Sequence, residues 1–485
     1  MDAVSPAASP AASEATAQAI TRLATMRGFL ALALPLAAGY GVNWIMQFTN
    51  RLFLSWYSAD ALAASLPAGM VAYTVQAFFT ASVGYVGAFA AQHVGAGEAE
   101  EAGAMAWPMI WLAVVAGILG LLVIPFRDVL FSLMGADAVV TRDMATLGAW
   151  YFAETLPAVL FAGLCGWFGG LGFTRLVMLM ALGICVVSVG LNYWLVFGGL
   201  GVPALGLHGA GLATLLSTVI GCAVGLGFFF SPTFALPFGT WRQRNIDPQR
   251  FLRFAKSALP RGGTEALEML AFVVFTAAIA HLGTEQLAAN NLVFSLYLLV
   301  VIPLVGLGQG ITIGVGQAMG AGRIDVARGV VRRAGLLALV TVCVAGLAFI
   351  VAPRELMMPY VALDPLDPVG SAARWERILD LGVPLMYLSA IMMFGDGFQL
   401  VWRFAVQGAG DTRWPLAMLT ITAALLLGAP ALFVSYRVAP ETWTTWGISS
   451  LTACWGILTL YLVVIAGLMA WRYFRGPWSR MSLRA

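Results

Sequence analysis

Charge is what this sequence has least of. Only 10% of its 485 residues are Asp, Glu, Lys or Arg, against about 25% in soluble domains, which excludes an ordinary water-soluble fold. The formal charge of +3 is too small for a surface that grips nucleic acid. Histidine is equally scarce: His93, His208 and His281 lie far apart and show no metal-ligand spacing. The five cysteines (Cys165, Cys185, Cys222, Cys343 and Cys454) carry no CxxC pattern. They fall inside apolar runs and read as small, reduced, buried side chains. HExxH, a Ser/His/Asp grouping and a paired-aspartate phosphate motif are all missing, which argues against an enzyme. The first twenty residues, rich in Ala, Ser and Pro, hold no apolar core. They read as a disordered tail rather than a secretory leader.

What the chain does have is long apolar runs. It is 60% hydrophobic with a mean hydropathy of +0.87. Twelve runs are long enough to cross a bilayer at about 20 residues each: 28–50, 61–91, 104–125, 146–170, 177–198, 208–230, 257–282, 286–318, 334–352, 381–405, 415–436 and 446–471. The expectation is an all-α polytopic membrane protein with twelve transmembrane helices. Most of the 26 Lys and Arg residues, including Arg242, Arg244, Arg250, Arg253, Lys256, Arg261 and Arg413, fall on one side if both termini share that side. Basic loops face the cytoplasm, so both termini are expected inside.

The second half repeats the first. A shift of 225 residues sets Pro35 on Pro260, 62–64 on 287–289, and Gln92, Gly95 and Gly97 on Gln317, Gly320 and Gly322. A shift of 238 sets Gly172, Thr174, Arg175 and Gly209 on Gly410, Thr412, Arg413 and Gly447. An offset of six spans keeps the inside–outside sense, so the halves are parallel repeats enclosing a central cleft. The expected organisation is a tail (1–26), a six-helix bundle (27–230), a polar cytoplasmic linker (231–256), a second bundle (257–475) and a short cytoplasmic tail (476–485).

Within this apolar chain a few polar residues stand out. Run 257–282 carries Glu265 and Glu268, three apart and on one helix face. A carboxylate in hydrocarbon costs at least about 2.5–3.5 kcal/mol, so a wet cavity that binds protons or cations is the functional reading; Glu265 could instead be solvated near the aqueous end. Asp396 and Gln399 share a face of the tenth run, with Arg403 two turns past Asp396, too far to pair with it. Asn43, Gln47 and Asn50 form one stripe on the first run, a helix–helix seam or a substrate face. Trp44, Phe48, Phe78 and Phe79 offer aromatic surface to flat cations or to lipid. Glu154 reads as solvated near the outer end, and Asp411 as the cap of the eleventh helix.

The order of L-A-A-S (62–65), A-A-Q-H-V-G-A-G (90–97), L-N-Y-W-L-V-F-G (191–198), L-A-A-N (287–290), V-G-Q-A-M-G-A-G-R (315–323) and G-A-G-D-T-R (408–413) resembles the MATE (multidrug and toxic compound extrusion) family of cation antiporters, NorM-like branch. The resemblance spans Arg27 to Arg475. It implies export of small organic cations in exchange for inward H⁺ or Na⁺, with no other cofactor, from a monomer in the bacterial inner membrane. It implies that Glu268, eight residues after Pro260, and Asp396 hold the coupling ion, whether proton or metal. It also implies a first-span aspartate, where this chain has Asn50, and a fifth-span polar pair, here Ser188 and Asn192, which join Glu268 and Asp396 in the expected coupling-ion or proton-binding set. The expected substrate-facing set is Glu265, Gln399, Asn43, Gln47, Asn50 and Trp44. The alternative reading is a lipid-linked sugar flippase of the same superfamily, which would need cationic side chains in the cleft.

Overall fold

A computed structural model describes residues 20–133, 137–199, 201–244, 247–361, 368–437 and 449–484. Residues 1–19 of the expected tail, Ala485, Gly447 and the start of the twelfth run lie outside the described residues. Among the described residues eleven helices are long and apolar enough to cross a membrane. A twelfth span is formed by Ala138–Ala153 and Thr155–Gly170, bent by 45° at their joint.

In order the spans are Met26–Tyr57, Ala63–Gly95, Ala99–Ser132, the bent pair, Thr174–Phe197, Gly206–Phe230, Pro248–Ala280, Thr284–Gly320, Ile324–Val351, Val369–Ala409, Arg413–Arg437 and Ser450–Arg475. Span 2 breaks briefly at Tyr85, and span 11 relaxes into a π-helical turn over Ala423–Gly428. Pro35 and Pro260 lie inside spans 1 and 7 rather than at their ends. Neighbouring helices make such prolines tolerable in a membrane.

Three boundaries differ from expectation. Residues 20–25 are packed rather than loose: Ile20 and Leu23 are buried, and Arg333 donates to the carbonyl of Leu23 at 2.9 Å and to that of Ala24. Span 7 begins at Pro248, where the Asp247 side chain accepts from the amides of Gln249 and Arg250. This Asp–Pro start is a strong helix entry, so the polar linker from Pro248 on is helix, as is its stretch Pro232–Phe238. The residues after 475 fold back: Trp478 and Leu483 are buried.

The sequence repeat is a structural two-fold. Gln92 Nε2 donates to the carbonyl of Gly408 at 3.0 Å, and Gln317 Nε2 donates to that of Gly170 at 3.0 Å. The donors are related by the 225 shift and the acceptors by the 238 shift, and each bond crosses between halves. The backbones meet there as well. A Cβ on Gly95 would lie 2.8 Å from the carbonyl carbon of Gln317, and one on Gly320 2.8 Å from that of Gln92. Only glycine permits that approach. Gly97 and Gly322 then turn the chain at φ +78° and +70°, a left-handed exit that glycine adopts without strain.

Spans 1 and 8 add a second contact, with Gly306 on Ala37 and Gly310 on Ala33, and spans 7 and 2 its counterpart, with Gly262 against Phe78 and Ser82. Small residues of this kind let membrane helices close on one another. All these contacts lie in the half of the molecule nearest the basic-rich loops.

The C-terminal segment straps this seam. The Leu483 amide donates to Gln92 Oε1 at 2.8 Å, and Arg484 pairs with Glu98 while its Nη1 reaches the carbonyl of Gly320 at 3.4 Å. Arg253 donates to the Arg484 carbonyl at 3.3 Å. Burial opposes ionisation of Glu98, but hydrogen bonds from Arg484 and His93 outweigh it and hold the carboxyl below its usual 4.5. A depressed carboxyl contributes stability above its unfolded value and loses it as pH falls through the folded one. Glu98→Gln should therefore speed hydrogen exchange across 481–484 about two- to fivefold at neutral pH, the scale of an exposed ion pair. Wild type should show that acceleration only in acid.

Candidate functional site

Span 7 and span 10 bring the acidic residues together. On span 7, Arg261 Nη1 donates to Glu265 Oε2 at 2.8 Å, one turn on. Two further links cross to span 10: Arg403 Nη1 donates to Glu268 Oε1, and Gln399 Nε2 points at the same oxygen at 3.5 Å. Asp396 Oδ2 accepts from the Tyr297 hydroxyl of span 8 at 2.5 Å. Asp396 and Arg403 are within electrostatic reach, as are Asp396 and Glu268. Arg403 is 3% exposed and Glu268 27% exposed at the side chain, so the pair is sealed on one side and reachable on the other.

Sequence reasoning found Glu265, Glu268, Asp396 and Gln399, and the structure places all four in this cluster. It missed three members. Arg261 counts among the cytoplasmic-side basic residues at the start of run 257–282, but span 7 starts at Pro248, so Arg261 sits well inside the helix and is buried. Arg403 was given no partner because it is two turns from Asp396; its partner is on another span. Tyr297 was not singled out. The Arg261–Glu265 spacing of four was the available signal; the spacing of four between Gln399 and Arg403 sets them on one face of span 10 but does not name the span they meet.

The first-half residues form a separate cluster. Asn192 Nδ2 donates to Asn50 Oδ1 at 2.8 Å and to the Ser188 carbonyl at 3.2 Å, and Asn50 Nδ2 reaches Thr214 Oγ1 at 3.5 Å. Asn50, Ser188 and Asn192 are buried. The expected stripe on span 1 therefore splits: Asn50 is committed to spans 5 and 6, whereas Asn43, Gln47 and Trp44 are exposed. Ser188 and Asn192 do not join Glu268 and Asp396.

Two other expectations change. Asp411 caps only loosely, its Oδ1 3.4 Å from the Trp414 amide. Its stronger bond is from Arg472 Nε to Oδ2 at 2.7 Å, tying span 12 to the loop before span 11. Glu154 is not solvated near an outer end; it is the joint of the bent span, with Oε2 buried. Among the described residues no three His, Cys, Asp or Glu side chains converge to hold a metal ion.

Twelve spans in two halves related by a two-fold, with a mixed-charge cluster of carboxylates inside one half, define a polytopic membrane protein of the secondary-transporter class. The MatE family profile matches residues 35–194 and 260–434. The probable multidrug resistance protein NorM of Pseudomonas aeruginosa is 31% identical over 90% of this chain and 89% of its own. Its namesake in Synechocystis is 27% identical over 84% and 88%. A crystallised MATE in complex with MaL6 has the same fold, with TM-score 0.81, 17% identity and coverage of 96% and 98%. A Pyrococcus furiosus MOP-superfamily transporter, described as having a binding pocket of reversed polarity, follows at TM-score 0.79 and 18% identity over 96% and 98%. This chain belongs to the MatE family, and it is a membrane transporter rather than an enzyme.

Proposed function

We propose that this chain is an antiporter that exports small organic cations in exchange for inward protons by alternating access. It acts as a monomer in the bacterial cytoplasmic membrane, with both termini inside. The observation that carries the reading is the charge balance of the second-half cluster. Among the described residues the cationic side chains that meet Glu265, Glu268 and Asp396 are Arg261 and Arg403, and Asp396 is held by the neutral Tyr297 hydroxyl. When all are ionised, one negative charge is left over to attract a single cation.

The positions of the guanidiniums favour the proton as coupling ion. Arg403 already occupies Glu268 Oε1, so a sodium ion would have to displace a hydrogen-bonded guanidinium to reach it. A proton on Glu268 breaks the pair directly, and Arg403 is then free to repel a bound organic cation. Tyr297 can hold Asp396 or follow its proton. The exposed Asn43, Gln47 and Trp44 offer amide and aromatic surface on the approach. The contacts at the basic-rich end close that side, so this conformation faces outward, ready to take protons and release substrate. A flippase for lipid-linked sugars is disfavoured, because among the described residues the buried guanidiniums of Arg261 and Arg403 each pair with a carboxylate rather than facing the cleft as cations for a pyrophosphate.

The test is efflux of a fluorescent organic cation from proteoliposomes under separate proton and sodium gradients. Proton-driven efflux should be present in wild type and fall at least about tenfold in Glu268→Gln and in Asp396→Asn, in line with loss of a proton-carrying group. Efflux driven by sodium alone, or undiminished in both variants, overturns the assignment.

A further inference from the structure

The first half holds one carboxyl at mid-depth, and the mechanism above does not use it. Glu154 lies at the joint between two sixteen-residue helices, Ala138–Ala153 and Thr155–Gly170. At about 1.5 Å per residue each arm is some 24 Å long, so the joint lies deep in the membrane. Pro157 explains the 45° bend. It has no N–H, so the Ala153 carbonyl loses its helical donor, and its ring crowds that carbonyl.

Glu154 Oε2 is buried with no hydrogen-bond partner, a placement whose cost is avoided while the carboxyl carries a proton. Its side of the helix is set by its neighbours: one turn before it the Trp150 ring packs on Gly211, and two turns after it Phe161 packs on Gly221. Glu154 lies between them, on the side of the helix facing span 6. At this level span 6 carries the buried Thr214, Ser217 and Thr218; Thr214 is the one that Asn50 of the Asn50–Asn192 cluster reaches, and the hydroxyls of the other two bond back to the Thr214 carbonyl. That cluster has spare capacity as well, since Ser188 Oγ and Asn192 Oδ1 are buried and unpartnered.

Charged neighbours do not account for Glu154. The titratable groups on its own span are Arg142, Asp143, Tyr151 and Cys165; those on the spans around it include Tyr73 and Tyr85 on span 2, Arg127 and Asp128 at the end of span 3, Cys185 and Tyr193 on span 5, His208 and Cys222 on span 6, and Arg51 and Tyr57 on span 1. Of these, His208 is engaged by Trp150 Nε1 at 3.3 Å, and Glu154 forms no ion pair among the described residues. Span 3 has no titratable side chain between Ala106 and Val123.

We propose that Glu154 is a proton-binding site of the first half, taking up and releasing a proton as the bent span moves. It supplies in span 4 the acid that the neutral Asn50–Asn192 cluster lacks. The proposal rests on the proton-coupled reading, and its test is chosen to fail separately from it.

The full chain is reconstituted in lipid and its infrared difference spectrum is recorded between acid and alkaline pH. Wild type should show a protonated-carboxyl C=O band that Glu154→Gln removes, Glu154→Asp shifts and Glu268→Gln leaves in place. Proton-driven efflux of the same dye should fall at least about tenfold in Glu154→Gln and recover in part in Glu154→Asp. An unchanged band in Glu154→Gln, or a wild-type rate and pH profile for that variant, overturns the proposal. Sodium-driven efflux in wild type would overturn the coupling ion, while the infrared band would still decide whether Glu154 titrates. Glutamine matches the protonated acid in shape, so the fold is kept.

Discussion

Replacing Arg403 with leucine should destabilise the protein by about 3–5 kcal/mol, the cost of leaving a buried charge without its partner. Arg403 is nearly sealed and gives its Nη1 to Glu268, so its removal strands that carboxylate beside Asp396. The double variant Arg403→Leu, Glu268→Leu should recover most of the loss, because an apolar pair of similar volume often replaces a buried ion pair at little cost. Thermal unfolding in detergent of the four members of this cycle gives the coupling energy. Single losses that simply add would show that the pair contributes no coupling. The single variant Arg403→Leu should also lose less stability at acid pH, where a protonated Glu268 needs no counter-charge. A loss that does not change with pH would mean that packing of the Arg403 stem, and not its charge, is what matters.

The second large effect is expected at the seam. Gly95→Val or Gly320→Val drives a side chain into the opposing carbonyl of Gln317 or Gln92. Overpacking a tight contact costs about 1–3 kcal/mol, and backbone atoms cannot rotate away as a side chain would. The closed state of the basic-rich end should lose at least about a factor of ten against the open one, since every 1.4 kcal/mol is tenfold. A cysteine placed at Ala409, which is fully buried beside the seam, reports this in a background without the native cysteines. Its labelling by a water-soluble thiol reagent should quicken about tenfold in either valine variant, and efflux should fall with it. Because the two glycines are related by the two-fold, the two variants should behave alike. A strong effect from one and none from the other would contradict the symmetry of the closure.

Much of this was legible in the residues. Hydropathy placed all twelve spans, and two constant offsets placed the two-fold, because a membrane leaves the chain few options besides apolar helices. Glu268 and Asp396 were legible for the same reason: a carboxylate in hydrocarbon demands an explanation. Helix starts were legible only in part. Asp247–Pro248 is a clear entry signal, but the basic residues after it, Arg250, Arg253 and Lys256, read as loop, which sets Arg261 at the cytoplasmic edge of run 257–282 rather than thirteen residues inside its helix.

What stayed hidden was pairing across spans. Gln399 and Arg403 are one turn apart, but that both turn to Glu268 depends on how spans 7 and 10 are packed, which no spacing within one span reveals. Glu154 was misplaced because the apolar run was taken to begin at residue 146. The helix begins at Ala138, and the difference carries Glu154 from the edge to the middle of the membrane. The split of Asn50 from Asn43 and Gln47 has a similar cause, since a stripe on one helix can pass from a packed neighbour to an open face along its length.

The seam between the halves also sets an order for biosynthesis. Gly95 is made early, but the backbone it fits, at Gln317, lies 222 residues later (317 − 95), and the Gly408 carbonyl that takes the Gln92 side chain comes later still. At about 5–20 residues per second the ribosome needs roughly 11–45 s to deliver Gln317. Through that interval the first half sits in the bilayer with a polar side chain and a bare glycine notch uncovered. The strap at Leu483 and Arg484 arrives later still, so the basic-rich end can be fastened only after every span has been inserted. A chain stalled before Gln317 would leave that notch open, a local mark by which an unfinished protein differs from a finished one.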